Sequence, residues 1–192
     1  MKKFISLFLI VLFCISLFSC DSTSNTNHTE SRLTPVQSVI NGIDKLSTSS
    51  TIESINNIQQ KYNALSTSEK AQVTNYDHFL HCKEYVIYWD TVRQAANLAK
   101  ENLKLNLKNP ESLQAHDYTF RAYTRDISSP DREIDYIQIN WDYSAQNGFG
   151  GYNRTTYSII IRNTWDNKLE VTTFSLSLID DYDYYAPPNK TK

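Results

Sequence analysis

The sequence predicts an α+β fold, with an N-terminal helical module that ends in one long helix, followed by a four-stranded antiparallel β-meander. Three observations carry that expectation. Apolar residues recur at helical spacing from Val36 to Leu103. Beyond Pro110 the apolar period falls to two, and β-branched and aromatic residues dominate. Three of the chain's four glycines, Gly148, Gly150 and Gly151, stand together between two alternating runs, as a hairpin connection requires.

Thr34-Pro35 opens the first helix, with Thr at the N-cap and Pro in the first turn, where its missing N–H costs nothing. Val36, Val39, Ile40, Ile43 and Leu46 mark its buried face. Ser47 to Ser50 is a polar break. Ser50 with Glu53 has capping-box spacing, and Ile52, Ile55, Ile58, Tyr62 and Leu65 continue a second apolar stripe. Ser66 with Glu69 repeats the signature before a short third helix carrying Ala71 and Val73. A long helix then runs from Tyr76 to about Leu105, its apolar positions supplied by Tyr76, Phe79, Leu80, Val86, Ile87, Ala95, Leu98, Ala99 and Leu103.

Asn109-Pro110-Glu111-Ser112 is turn chemistry. Four alternating runs follow. They are Leu113 to Thr124, Glu133 to Ser144, Tyr152 to Arg162 and Lys168 to Ile179. In the second, Ile137, Ile139, Trp141 and Tyr143 oppose Gln138, Asn140 and Asp142. Such alternation belongs to an antiparallel sheet with one dry and one wet face. The long helix is the economical cover for the dry face.

At the N-terminus, Lys2 and Lys3 precede an apolar run from Phe4 to Phe18, too short to span a bilayer comfortably. Leu17-Phe18-Ser19-Cys20 resembles the lipobox of bacterial lipoproteins, although Phe18 is bulkier than the residue usual there. The resemblance implies that residues 1–19 are a signal peptide, that Cys20 is acylated, and that the protein faces the extracytoplasmic side of the cell membrane. Two acyl chains anchor stably where one is marginal, at ~0.8 kcal/mol per buried CH₂. Residues 20–33 are nearly devoid of apolar side chains and read as a flexible tether. The remaining boundaries are 34–107 for the helical module, 108–184 for the sheet and 185–192 for a disordered tail.

Composition argues against one class of function. A formal net charge of −2, more acidic still once Lys2 and Lys3 are removed, is a poor basis for nucleic-acid binding. Of three cysteines, Cys14 lies in the signal and Cys20 is the lipid site, so Cys82 has no intramolecular partner and reads as a buried small hydrophobe.

Two further resemblances concern the folded part. Val36-Gln37-Ser38-Val39-Ile40-Asn41-Gly42-Ile43, Ile52 to Tyr62, and Ser68-Glu69-Lys70-Ala71-Gln72-Val73-Thr74-Asn75-Tyr76 resemble a helical module of exported Gram-positive surface proteins. That likeness implies a spacer or interaction unit. Leu107-Lys108-Asn109-Pro110-Glu111-Ser112, with Ala145-Gln146-Asn147-Gly148-Phe149-Gly150-Gly151-Tyr152-Asn153-Arg154, resembles a small domain of bacterial lipoproteins and phage-encoded proteins. It brings no assigned activity.

The glycine-rich segment reads first as a type I′ hairpin built on Asn147-Gly148, and second as a recognition tip that projects Phe149. Asn147, Phe149, Tyr152 and Arg154 are therefore the candidate interaction residues. His78, His81 and Cys82 share a helix face but lack a fourth ligand nearby, so no metal or cofactor is assigned. His116-Asp117 is discounted as a catalytic pair, because neighbours on a strand face opposite ways. Asp180, Asp181 and Asp183, interleaved with Tyr182, Tyr184 and Tyr185, read as a solvated acidic end to the last strand. The expected function is a non-enzymatic, membrane-anchored binding or structural module of the cell envelope. The alternative is a glycan- or peptidoglycan-binding lipoprotein using wet-face aromatics such as Tyr136 and Tyr152; a small hydrolase ranks third.

Overall fold

A computed structural model describes residues 33–125, 128, 133–164, 166, 168–172 and 182–190. The signal, Cys20 and nearly all of the tether lie outside these residues, as do 173–181 and with them Asp180 and Asp181. Leu33–Lys192 forms one compact unit.

Four helices come first: α1 (Pro35–Ile43), α2 (Ile52–Asn63), α3 (Thr67–Lys70) and α4 (Tyr76–Leu105). A 3₁₀ turn at Pro110–Ser112 leads into β1 (Gln114–Thr124), β2 (Tyr136–Gln146), β3 (Tyr152–Asn163), β4 (Leu169–Thr172) and β5 (Asp183–Tyr184). The strands form one antiparallel sheet in the order β4-β3-β2-β1-β5. The expected meander is therefore present with an extra strand on its β1 edge. Of the expected fourth strand, Leu169–Thr172 pairs with β3, and the residues after 172 are outside the description.

The caps follow their side chains. Thr34 closes a capping box with Gln37, and Ser66 closes one with Glu69. The N-cap of α2 is Thr51, not Ser50: Thr51 Oγ1 accepts the Ser54 N–H at 3.2 Å. Ser50 instead accepts the Ser47 N–H at 2.9 Å and closes the preceding turn. Helix α3 covers only Thr67–Lys70, with Ala71 as its C-cap and Val73 buried beyond it.

Helix α4, 30 residues and ~45 Å long, belongs to two cores. Phe79, Cys82 and Val86 pack with Val39, Ile43, Ile55, Ile58 and Leu65 from the first helices. Val92, Ala95, Ala96, Ala99 and Leu103 pack on Ile137, Ile139, Trp141, Ile159 and Ile161 from the sheet. The inward stripe therefore runs through Cys82, Tyr88, Val92 and Ala96. Leu80 and Ile87, expected inside, fall off that stripe and are 43% and 39% exposed.

Alanine at 95, 96 and 99 brings the helix close to the sheet. Trp141 Nε1–H then donates to the Ala96 carbonyl at 3.0 Å. Tyr157 Oη donates to Asn102 Oδ1 at 2.5 Å further along, and Gln146 at the end of β2 meets Asn109 beyond the helix. Rising residue numbers on β2 thus track rising numbers on α4, so the β2–β3 hairpin lies at the helix's C-terminal end. At the other end, Asn75 Nδ2 donates to the Ile40 carbonyl at 3.0 Å and to Asp44 Oδ1 at 2.8 Å. That joins α1 to the start of α4.

The C-terminal segment corrects the expectation of a tail from Tyr185. Tyr185 is buried. Its N–H donates to the Ala122 carbonyl at 2.9 Å, its carbonyl accepts from Tyr88 Oη at 3.2 Å, and its own hydroxyl donates to Glu84 at 3.0 Å. Acidic neighbours disguised an aromatic residue with three bonds to make. Nor is Tyr182 a solvated end: its ring meets Tyr136 edge-on at 4.9 Å and lies beneath Arg125.

β5 covers only Tyr123 and Thr124 of β1. Ala122 directs its carbonyl outward to Tyr185, and by the antiparallel pattern Phe120 and Tyr118 also turn their backbone groups outward. Asp117 Oδ1 accepts the Tyr118 N–H at 2.7 Å, which blunts the open edge.

Trp141→Phe should cost about 1–2 kcal/mol in urea unfolding with an unchanged denaturant slope, because it removes the bond to Ala96 but leaves most of the ring packing. Asp117→Val should raise concentration-dependent self-association, read by sedimentation, while leaving the helical circular-dichroism signal intact.

Candidate functional site

The β2–β3 connection is pinned by the side chain of Asn147. The Asn147 N–H donates to the Gly151 carbonyl at 2.7 Å, and the Gly150 N–H donates to the Asn147 carbonyl at 3.1 Å. Asn147 Oδ1 also accepts the Phe149 and Gly151 N–H groups, each at 3.0 Å. Gly150 alone among the glycines takes positive φ, at 85°. The loop is thus a β-turn followed by a left-handed glycine, the three-residue hairpin with a bulge. It is not the type I′ turn expected from Asn-Gly, which needs positive φ at Gly148.

A strut holds the turn from below. Gln146 Nε2 donates to the Gly150 carbonyl at 3.1 Å, Asn109 Nδ2 donates to Gln146 Oε1 at 3.0 Å, and the Gln146 N–H donates to Ser112 Oγ at 2.9 Å. The Leu107 to Ser112 segment and the hairpin are therefore one hydrogen-bonded unit. Phe149 stands at its apex, 102% exposed.

Tyr152 and Arg154 lie on the face of the sheet opposite α4. Tyr152 pairs with Gln146, and Arg154 with Ser144. Tyr152 is 52% exposed. Arg154 Nε donates to both carboxylate oxygens of Asp142 at 3.1 Å, and Nη2 makes a further contact with Oδ2. That hydrogen-bonded guanidinium, with a smaller contribution from His116, holds the Asp142 carboxyl below its usual range. The four candidates thus divide. Asn147 is the structural pin, Phe149 the exposed apex, and Tyr152 and Arg154 flank them on the open face.

Sequence alternation missed one pairing. The β1–β2 register shifts between Ala115 and Asp117, and this bulge turns His116 onto the open face. His116 and Asp117 therefore share a face, contrary to simple alternation. The partner of His116 is Ser144, however, with Nε2 2.8 Å from Oγ. A histidine beside a serine invites a hydrolytic reading. Ser144 lies within β2, which pairs with both β1 and β3.

Tyr136 and Tyr152 do not form a row, although Tyr123 stands directly opposite Tyr136 on the same face. Tyr136 pairs with Arg162 at one end of β2 and Tyr152 with Gln146 at the other, about 33 Å away. On the long helix, Cys82 is buried, and burial pushes its thiol pKa up. His78 Nε2 is committed to the Leu46 carbonyl at 3.1 Å. Among the described residues no three His, Cys, Asp or Glu side chains converge as metal ligands, and no helix is long and apolar enough to cross a membrane.

Gly150→Ala should cost about 1–2 kcal/mol by forcing a side chain into the left-handed region, whereas Gly148→Ala should stay within about 0.5 kcal/mol, since nothing lies within 4 Å of its added methyl. Chemical denaturation of both variants checks the pair. Because the folded pKa of Asp142 is depressed, its contribution is present above the unfolded carboxylate value and is lost as pH falls through the folded one. Carboxyl carbon NMR should show Asp142 titrating at lower pH than an exposed Asp, and Arg154→Ala should move it back up. No family model, curated protein or solved structure matches this chain.

Proposed function

We propose that this chain is a lipid-anchored, non-enzymatic binding module of the bacterial cell envelope, held at the membrane through Cys20 and presenting its β2–β3 hairpin end to an envelope component. The observation that carries this reading is Phe149. A fully exposed aromatic ring sits at the apex of a turn that five side-chain hydrogen bonds and struts hold in one shape. An exposed large apolar side chain on a rigid loop, away from any core, suits contact with a partner.

The long helix supports the same arrangement. Thr34, where the chain enters the fold, belongs to the end of the body where α1 meets the start of α4, since α1 is only ~13 Å long. The hairpin lies beyond the opposite end of α4. Helix α4 separates the α1 end of the folded body from the hairpin end. A spacer role for the helical core accords with the resemblance of its sequence.

Radiolabelled palmitate should enter the wild-type protein and be absent from Cys20→Ser, which should leave the envelope pellet. Label retained by Cys20→Ser, or no label in either protein, would refute the anchor. The unacylated chain beginning at residue 20 with Cys20→Ser should bind isolated envelopes about tenfold more tightly than the same chain carrying Phe149→Ala. Equal binding would remove the hairpin from the function.

A further inference from the structure

We propose that the open face of the sheet beside the hairpin binds an uncharged saccharide chain, with Tyr152 as a stacking platform and Asp142, Arg154, Ser144 and His116 as fixed polar contacts. This rests on the envelope-binding reading and names the ligand class of that site.

Those side chains come from three adjacent strands. Ser144 pairs with Arg154 across β2–β3, and His116 reaches Ser144 from the β1 bulge. Asp142 and Tyr152 stand one row away on the same face. With strands ~4.8 Å apart and same-face neighbours ~7 Å apart, the group covers about 10 Å by 14 Å, the footprint of a short oligosaccharide.

The polar members are already coupled in pairs, Asp142 with Arg154 and Ser144 with His116. Each pair holds its members in one geometry before any ligand arrives, which reduces the ordering cost of binding. The Arg154 side chain is still 68% exposed, so its remaining donors face outward. Sugar hydroxyls need such mixtures of donor and acceptor, and sugar C–H faces stack on aromatic rings such as that of Tyr152.

The charge balance narrows the ligand. Arg154 pairs with Asp142, and Asp117 stands opposite Asp142 on the same face, so the patch offers no excess positive charge and a phosphate-rich or strongly acidic chain gains little here. Peptide recognition by strand addition is disfavoured at the β1 edge, where Asp117 occupies the Tyr118 N–H and β5 with Tyr185 takes the far end. A lipid surface would engage the Phe149 apex, not a polar face two rows behind it.

The test uses the chain beginning at residue 20 with Cys20→Ser, isotopically labelled and titrated by NMR with chitotetraose and cellotetraose at millimolar concentrations. At least one sugar should shift amides around 116, 142–146 and 152–156 and leave the helical core unmoved. Tyr152→Ala should weaken that binding by about tenfold or more, while Tyr152→Phe, which keeps the ring, stays within about threefold. Absence of shifts with either sugar, shifts confined to other surfaces, or unchanged binding by Tyr152→Ala would overturn the assignment. So would binding to phosphatidylcholine–phosphatidylglycerol vesicles with none to the sugars. If the sugars fail while envelopes still bind in a Phe149-dependent way, this inference falls and the envelope-binding reading stands.

Discussion

The contact between the alanine face of α4 and the dry face of the sheet is the constraint on which this architecture rests. A sheet that exposes one apolar face is stable only when something flat and closely fitting lies on it. Ala95, Ala96 and Ala99 provide that fit by letting the helix backbone approach within hydrogen-bonding range of the Trp141 indole. Ile137, Ile139 and Ile161 then bury completely beneath it, each worth roughly 1.5–3 kcal/mol relative to exposure. The same helix extends past the sheet into a second core with α1 and α2. One continuous rod thus carries both halves, and the position of each half is set by where on the rod its apolar residues fall.

Much of this was legible in the chain because it depends on local spacing. The limits of α4 at Tyr76 and Leu105, the N-cap at Thr34, the capping box at Ser66, and the inward residues of β2 and β3 all follow from period and cap chemistry within a few residues of each element. Two failures are local, the α2 cap at Thr51 rather than Ser50 and the hairpin turn type set by Asn147; the others are non-local. β5 and Tyr185 are fixed by partners at Ala122, Tyr88 and Glu84, far away in sequence. No spacing rule inside Asp183-Tyr184-Tyr185 announces them. Leu80 and Ile87 looked apolar enough to be buried, but which face of a long helix is covered depends on what lies against it.

The hairpin shows the same division at smaller scale. Its glycine content announced a turn, yet the turn type was decided by the Asn147 side chain, whose carbonyl oxygen collects two backbone N–H groups. The strut from Asn109 through Gln146 adds restraint from another part of the chain. His116 was hidden by the bulge, since alternation assumes an unbroken register. The candidate residues Phe149, Tyr152 and Arg154 were recognisable by type. What the sequence left out was their mutual placement, with one ring at the apex and the others behind it on the open face.

The tyrosine bridge at the C-terminus has a consequence for how the molecule comes into being. Two of its bonds join residues 97 and 101 positions apart. Synthesis on the ribosome releases Tyr88 and Glu84 long before their shared partner emerges. The early helices can therefore gather as soon as they appear, whereas the seam between α4 and β1 stays unsealed until Tyr185 is free. Long-range closure of this kind slows the final step.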